Sequence, residues 1–233
     1  MDDNNNYYIF ASEKSWNFEA FIEIRAKLPG EWVVCTTPHD LRSAISRLSP
    51  RYAFFPHWSH IVDDSLLDAT ECVCFHMTDL PYGRGGSPLQ NLIVRGHTET
   101  MISALRMTSV LDGGPIYAKR SLDLSGTATE IFERSSQIIL ELIAWIAATE
   151  PTPMKQIGEP TVFTRREPSE SLLSGEIEPD KLYDHIRMLD APSYPHAYID
   201  HGRWRIEFTN AKSSGNEVTA NTRFRLRDDY NEG

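Results

Sequence analysis

Long apolar runs are missing from this chain. No stretch of 18 apolar residues occurs among the 233, so no segment reads as a membrane span. The opening MDDNNNYYIF is acidic and polar, without the basic start and apolar stretch of a secretory signal. Cysteine is scarce. Cys35, Cys72 and Cys74 all lie inside apolar, strand-like runs, which reads as reduced, buried thiols in a cytoplasmic protein. Cys72 and Cys74 share one strand face, but no other Cys/His cluster stands near them at ligand spacing, so no metal is expected. Basic charge is short too: 23 Lys and Arg face 33 Asp and Glu, a net charge of −10. A protein that grips nucleic acid by its phosphates usually carries a basic surface. A small anionic ligand needs only one or two arginines and some backbone N–H groups. Composition therefore points to a small molecule and away from nucleic acid or a membrane. The dinucleotide fingerprint G-x-G-x-x-G is absent after the first strand, where ASEKSW stands instead, which removes a nicotinamide enzyme.

What is present is an alternation of strand-like and helix-like segments. YYIFAS (7–12) is rich in aromatic and β-branched residues and reads as a strand. SWNFEAFIEIRAKLPG follows with helical spacing, stopped by Pro29-Gly30. EWVVCT (31–36) is a second strand. Residues 37–50 form a short helix with Thr37 at the cap and Pro38 in its first turn. YAFFP (52–56) and ECVCFH (71–76) are the third and fourth strands, with a helical turn at DDSLLD between them. Strands separated by helix-length segments imply parallel pairing with crossovers. Residues 87–96 read as a helix capped by Ser87, 99–110 as a strand, 111–115 as a turn and 116–124 as a returning strand. The longest helix spans 127–151, opened by a Thr127/Glu130 capping box and closed by Pro151. The expectation is an α/β fold: an open, mostly parallel twisted sheet with helices on both faces, over residues 1–151. The stretch 152–180, with Pro151 before it, holds five prolines and reads as a linker. Residues 181–233 form a small C-terminal subdomain, a helix over 180–190 and a β-hairpin over 196–211 turning at His201-Gly202. The tail after Ala211 reads as partly disordered or as a lone edge strand. The hairpin offers an edge with which a second copy of the chain can pair, as in a homodimer.

Ligands of open parallel sheets bind outside the carboxyl ends of the strands. His76 ends the fourth strand, and Asp112 follows the strand assigned to 99–110. Brought together at a strand-end crevice, they make an acid/base pair in which the carboxylate favours the imidazolium. The alternative is a buried, satisfied histidine and an ordinary Asp-Gly-Gly turn. After His76 comes a stiff loop holding Pro81, Gly83, Gly85, Gly86 and Pro88, whose backbone can approach a ligand closely.

The run HMTDLPYGRGGSPLQN, His76 to Asn91, resembles the formyltransferase family motif H-x-S-L-L-P-x-x-R-G-x-x-P-[IL]-Q without a gap. It keeps His76, Leu80, Pro81, Arg84, Gly85, Pro88 and Gln90, with Thr78 in place of serine. LDGGPI (111–116) is similar to the family's second motif, an Asp-x-Gly turn. FFPHWSHIVDDSLL (54–67) resembles the stretch whose backbone lines the folate pocket, and LYDHIRMLDAPSYPHAYID (182–200) the stretch after the catalytic domain. The resemblance covers roughly 52–210 and implies transfer of a formyl group from N10-formyltetrahydrofolate to a primary amine. It implies His76 and Asp112 as the acid/base and oxyanion-stabilising pair. The family's asparagine two residues before the histidine is Cys74 here, a weak donor; Asn91 is the candidate replacement. Asp79 stands where the family has leucine, free to contact folate, bind the amine or bond loop N–H groups. Arg84 serves to hold the loop to a carboxylate as well as it serves a substrate phosphate.

By the same resemblance, cofactor contacts fall on Trp58, Ser59, His60, Asp79 and Leu111, and substrate contacts on Thr78, Tyr82, Arg84, Arg187 and Tyr194. Trp58 serves a core equally well. The loop resembles that of the branch associated with pseudaminic-type sugars and with formylation domains of peptide synthetases. The expected acceptor is a nucleotide-linked amino sugar. An aminoacyl group on a carrier protein is the alternative substrate, and a decayed, folate- or nucleotide-binding protein the alternative class.

Overall fold

A computed structural model describes residues 6–192 and 194–227; the extreme N-terminal residues of the opening segment and 228–233 of the tail lie outside the described residues. The elements run β1 (Tyr7–Ala11), α1 (Ser15–Arg25), β2 (Glu31–Cys35), α2 (Pro38–Leu48), β3 (Tyr52–Phe55), α3 (Asp64–Ala69), β4 (Glu71–His76), β5 (Arg84–Gly85) and α4 (Pro88–Val94). They continue as β6 (Glu99–Arg106), β7 (Ile116–Asp123), α5 (Ala128–Thr149), β8 (Val162–Phe163), α6 (Pro179–Arg187), β9 (Ala197–His201), β10 (Trp204–Ser214) and β11 (Glu217–Leu226). The chain divides into two compact units interleaved in sequence. One is Met1–Gly85, Thr100–Leu122 and Glu133–Val162; the other is Gly86–Glu99, Asp123–Phe132 and Phe163–Gly233.

The first unit is built on a six-stranded sheet in the order β2-β1-β3-β4-β6-β7. β1 pairs in parallel with β2 and β3, and β3 with β4, as the strand–helix alternation requires. Alternation within each strand sorts the core by chemistry. Tyr8, Phe10, Trp32, Tyr52, Phe54 and Phe75 share one face, where Phe10 stacks on Phe21 of α1 at 4.1 Å, Tyr8 on Trp32 at 4.9 Å and Trp32 on Phe54 at 5.7 Å. The other face carries Ile9, Ala11, Ala53, Phe55 and Cys72, packed on Leu41, Ala44 and Ile45 of α2 and Leu66 of α3. Helices thus cover both faces. Fully buried aromatic side chains contribute on the order of 2–3 kcal/mol each, so β1 and β3 anchor the unit.

β6 departs from the parallel rule. It runs antiparallel to β4, with Val73 opposite Arg106 and His76 opposite Ser103, and ends at Arg106, not at 110. Its carboxyl end therefore lies at the amino end of β4. There Glu71 accepts from Arg51 Nη1 at 2.8 Å, from Arg106 Nε at 3.0 Å and from the Tyr117 hydroxyl.

In the second unit, β9, β10 and β11 form a three-stranded antiparallel sheet in the order β11-β10-β9. The tail thus supplies a paired edge strand where partial disorder or a lone edge strand was expected. Thr127 N–H donates to Glu130 Oε2 at 2.7 Å and Glu130 N–H to Thr127 Oγ1 at 3.3 Å, completing the capping box of α5. Thr37 likewise caps α2, accepting from Asp40 N–H at 3.1 Å. Ser87 precedes α4, but its hydroxyl caps nothing there; it accepts from Arg166 N–H at 3.1 Å. The proline-rich stretch 152–180 is tied down on both sides of the unit boundary. In the first unit Met154 exchanges backbone hydrogen bonds with Ile116, and in the second Phe163 is 2% exposed.

Candidate active site

His76 is the last residue of β4 and is 8% exposed. Its Nε2 lies 2.7 Å from the carbonyl oxygen of Gly83. A carbonyl only accepts, so Nε2 carries hydrogen there. On the other side of the ring, Nδ1 lies 3.5 Å from Asp112 Oδ2. The Gly83 contact is a hydrogen bond, whereas the approach to Asp112 is of ion-pair length and longer than an ordinary hydrogen bond.

Asp112 arrives by a route the strand-end rule does not describe. Met107 N–H bonds to Cys72 O near the start of β4, yet Asp112 reaches the residue at that strand's far end. The 107–115 loop therefore runs back along β4. Asp112 is held in the left-handed region, at φ +49. Gly114 follows where a Cβ would stand 1.8 Å from Arg106 O, so no side chain fits. The Asp112 carboxylate is held from a second direction, as Gly85 N–H donates to Oδ2 at 2.9 Å.

The glycine-rich loop serves mainly to hold itself and this pair. Thr78 is fully buried, its hydroxyl donating to Gly83 O at 3.3 Å while its carbonyl accepts from Ser103 Oγ at 2.7 Å. Asp79 pairs with Lys119 Nζ at 2.5 Å, which also donates to Leu80 O. Tyr82 is half-buried, and its N–H donates to Asp79 O. Arg84 donates through Nε (3.2 Å) and Nη2 (2.7 Å) to Gln156 Oε1. The partner is an amide oxygen outside the loop, where a carboxylate or a substrate phosphate was expected.

Cys74 shares with His76 one face of β4. Burial, then the Asp112 carboxylate, push its thiol well above the usual range and keep it protonated. Trp58 and Met107 pack, with Cys74, on the aliphatic core cluster. Trp58 meets Phe55 edge-on at 5.9 Å and His60 at 5.2 Å, and its indole N–H is buried without a protein acceptor among the described residues. Ser59 and His60 are exposed, and His60 Nε2 lies 2.5 Å from Glu13. Leu111 is 73% exposed. The Trp58 indole N–H is a buried donor left for a ligand acceptor. Among the described residues no three His, Cys, Asp or Glu side chains are grouped to hold a metal ion.

Three expected site residues belong to the second unit. Asn91 needs correction as an oxyanion donor: Nδ2 donates to the carbonyls of Gly86 (3.1 Å), Ser87 (3.1 Å) and Thr164 (3.0 Å), and Oδ1 accepts from Arg95 at 2.8 Å. An amide with its hydrogens so engaged has none left for an oxyanion. Arg187 is 7% exposed and donates to Leu124 O at 2.6 Å, Gly126 O at 2.9 Å and Asp184 at 2.7 Å, which anchors α6. Tyr194 stacks on Phe132 at 5.6 Å, and burial pushes its hydroxyl pKa up.

Two groups that sequence patterns do not reveal stand beside the pair or its strand. Gln156 bonds Arg84 and the Asp112 turn from within the proline-rich stretch. His57, at φ +51, starts the segment after β3. Its Nδ1 lies 3.2 Å from Asn17 Nδ2 and its Nε2 3.3 Å from Ser135 Oγ. Asn17 also donates to Ser12 Oγ at 2.9 Å and Pro56 O at 3.2 Å, and accepts from Ser136 Oγ at 2.6 Å. This network fills the carboxyl ends of β1 and β3, where the strand order reverses. Burial, then Lys14, lower the His57 pKa to about 4 and keep the ring neutral.

Comparison with known proteins bears on what this arrangement does. The family described as methionyl-tRNA formyltransferase, C-terminal domain, matches residues 168–225. A solved methionyl-tRNA formyltransferase from Clostridium thermocellum is 41% identical, covers 95% of this chain and 99% of its own, and superposes with a TM-score of 0.91. A 4-N formyltransferase from Francisella tularensis has the same fold at 13% identity, covering 84% of this chain and 92% of its own with a TM-score of 0.66. The curated methionyl-tRNA formyltransferase of Wolinella succinogenes is 27% identical over 146 residues, 60% of this chain and 47% of its own. The chain spans about half the length of the curated relatives it matches.

Proposed function

Because this chain belongs to the formyltransferase family, we propose that it transfers a formyl group from N10-formyltetrahydrofolate to a primary amine borne by a nucleotide-linked amino sugar. The observation that carries the reading is the His76 Nδ1–Asp112 Oδ2 approach of 3.5 Å at the end of β4. The folate supplies, when bound, a formyl carbon attached to its N10 nitrogen. His76, protonated and steadied by Asp112, stabilises the charge that grows on the formyl oxygen as the neutral amine attacks. As the bond from the formyl carbon to N10 breaks, the ring gives its proton to N10 and takes up the proton shed by the attacking nitrogen, so it ends in the state in which it began. Asp112 keeps the ring oriented and offsets its charge. Trp58 lines the donor side, its indole N–H free to meet a ring acceptor. With Cys74 in the family's asparagine position and Asn91 engaged elsewhere, His76 bears most of the oxyanion stabilisation.

A small acceptor agrees with the net charge of −10. Three arginines in and beside the C-terminal sheet are already paired with carboxylates. Arg205 and Arg227 pair with Asp200, and Arg225 with Glu207. Three findings favour methionyl-tRNA as the acceptor: the 41% identical solved relative, the curated relatives and the family model over residues 168–225 all bear that name. The test mixes the protein with N10-formyltetrahydrofolate and, separately, UDP- and dTDP-linked amino sugars, methionyl-tRNA and an aminoacyl thioester on a carrier protein. Mass spectrometry then reports the gain of one formyl group. Turnover with a sugar nucleotide is the expected result. Turnover only with methionyl-tRNA or only with the thioester moves the assignment to that acceptor. Tight folate binding without any turnover replaces catalysis with a binding function.

A further inference from the structure

We propose that Gln156 is a positioning residue that sets the distance between His76 and Asp112, a role resting on the formyl-transfer reading above. Its amide Oε1 accepts twice from Arg84, through Nε at 3.2 Å and Nη2 at 2.7 Å. Its Nε2 donates twice, to Asp112 O at 2.7 Å and Gly114 O at 2.9 Å. A guanidinium only donates and a carbonyl only accepts, so the four contacts admit one orientation of the amide. Reversing it would set NH2 against guanidinium and oxygen against two carbonyls.

The two carbonyls flank Gly113 and so fix the peptide planes on either side of the turn. They matter because Asp112 holds a left-handed backbone, which costs a non-glycine residue about 1 kcal/mol or more and persists only where surroundings enforce it. The same amide ties down Arg84, between the two residues that complete the pair's surroundings. Gly83, before it, supplies the carbonyl that accepts from His76 Nε2 at 2.7 Å. Gly85, after it, supplies the N–H that donates to Asp112 Oδ2 at 2.9 Å. A closed ring of contacts runs from the His76 ring through Gly83, Arg84 and Gln156 to Asp112, and back to the ring. Gln156 is the one member drawn from the proline-rich stretch, and it touches none of the reacting atoms.

The experiment compares wild type with Gln156→Met, which keeps the side-chain length and removes all four hydrogen bonds. kcat and KM for formyl transfer are measured, and the His76 ring is titrated by NMR. Loosening the carboxylate weakens the protonated ring. The expected result is a fall of about 10²-fold in kcat, the size of loss that a misplacement near 1 Å brings, with KM for the amine little changed. The midpoint of the His76 titration moves to lower pH. A folded variant with lowered Tm but wild-type kcat and midpoint overturns the proposal, because a structural brace alone gives that result. If Gln156→Met does not fold, Gln156→Asn, which keeps the amide but cannot span both partners, carries the same readouts. If wild type transfers no formyl group, the reading of the reaction fails by itself and the titration still decides: a shifted midpoint keeps the positioning role, an unshifted one removes it.

Discussion

Acid should unlock the polar plug between β1 and β3 before it protonates most of the carboxylates. The His57 ring is held neutral with a pKa of about 4, against an ordinary 6.5 for histidine. The unfolded chain therefore binds this proton more readily than the folded one between those values. The stabilisation is complete above about pH 6.5, shrinks as pH falls towards 4 and changes no further below it. The gap of about 2.5 pH units, at about 1.36 kcal/mol each, sets a ceiling near 3 kcal/mol; because the ring keeps some contact with solvent, about 2–3 kcal/mol is expected. Roughly 2 kcal/mol of it should be gone by pH 5. Lys14, at the start of α1, opposes the protonated ring as well, while Asn17, Ser135 and Ser136 stay neutral across this range. The assay is urea unfolding at pH 7.5, 6, 5 and 4.5 for wild type and His57→Gln, whose amide contacts Asn17 but does not titrate. Wild type should lose more stability than the variant over this range by the stated amount. Parallel curves for the two proteins would refute the reasoning, since the ring would then titrate alike folded and unfolded.

Two further outcomes follow from the same geometry. Glu71→Gln should destabilise the fold by about 3 kcal/mol in denaturant titration, because it leaves Arg51, Arg106 and Tyr117 without their shared anion. Burial raises the Glu71 pKa, but hydrogen bonds from Tyr117, Arg106 and Arg51 outweigh it, so the wild-type contribution is lost as pH falls through the lowered value while the variant shows no such loss. Asp112→Asn should keep the Gly85 N–H contact and the fold but lower kcat by about 10²-fold or more, measured as formyl transfer under saturating folate.

How much of this was legible in the residues depends on whether the signal was local. Aromatic and β-branched runs announced β1 to β4, and Thr37 and the Thr127/Glu130 pair announced helix starts that the hydrogen bonds bear out. The pairing of His76 with Asp112 was expected, though for a partly mistaken geometric reason. Alternation identifies a strand but not its direction, so β6 passed for parallel and its end for the crevice side. The loop that carries Asp112 back along β4 is a tertiary feature. Asn91 had the right chemistry for an oxyanion donor, yet its hydrogens go to Gly86, Ser87 and Thr164, and no spacing rule foretells which acceptors surround an amide. Arg187 is a substrate contact by resemblance alone; its hydrogen bonds to Leu124 O and Gly126 O are visible only once the chain is folded. Gln156 lay hidden because a proline-rich stretch reads as a linker whatever its side chains hold.

The central claim is that the imidazole at the end of β4 handles the proton and the developing charge of formyl transfer. Single-turnover transfer from N10-formyltetrahydrofolate, with wild type and His76→Asn at matched folate occupancy, tests it most directly. The account predicts that the variant folds, binds the folate and transfers at least about 10³-fold more slowly. Transfer by His76→Asn at a rate near that of wild type would contradict it.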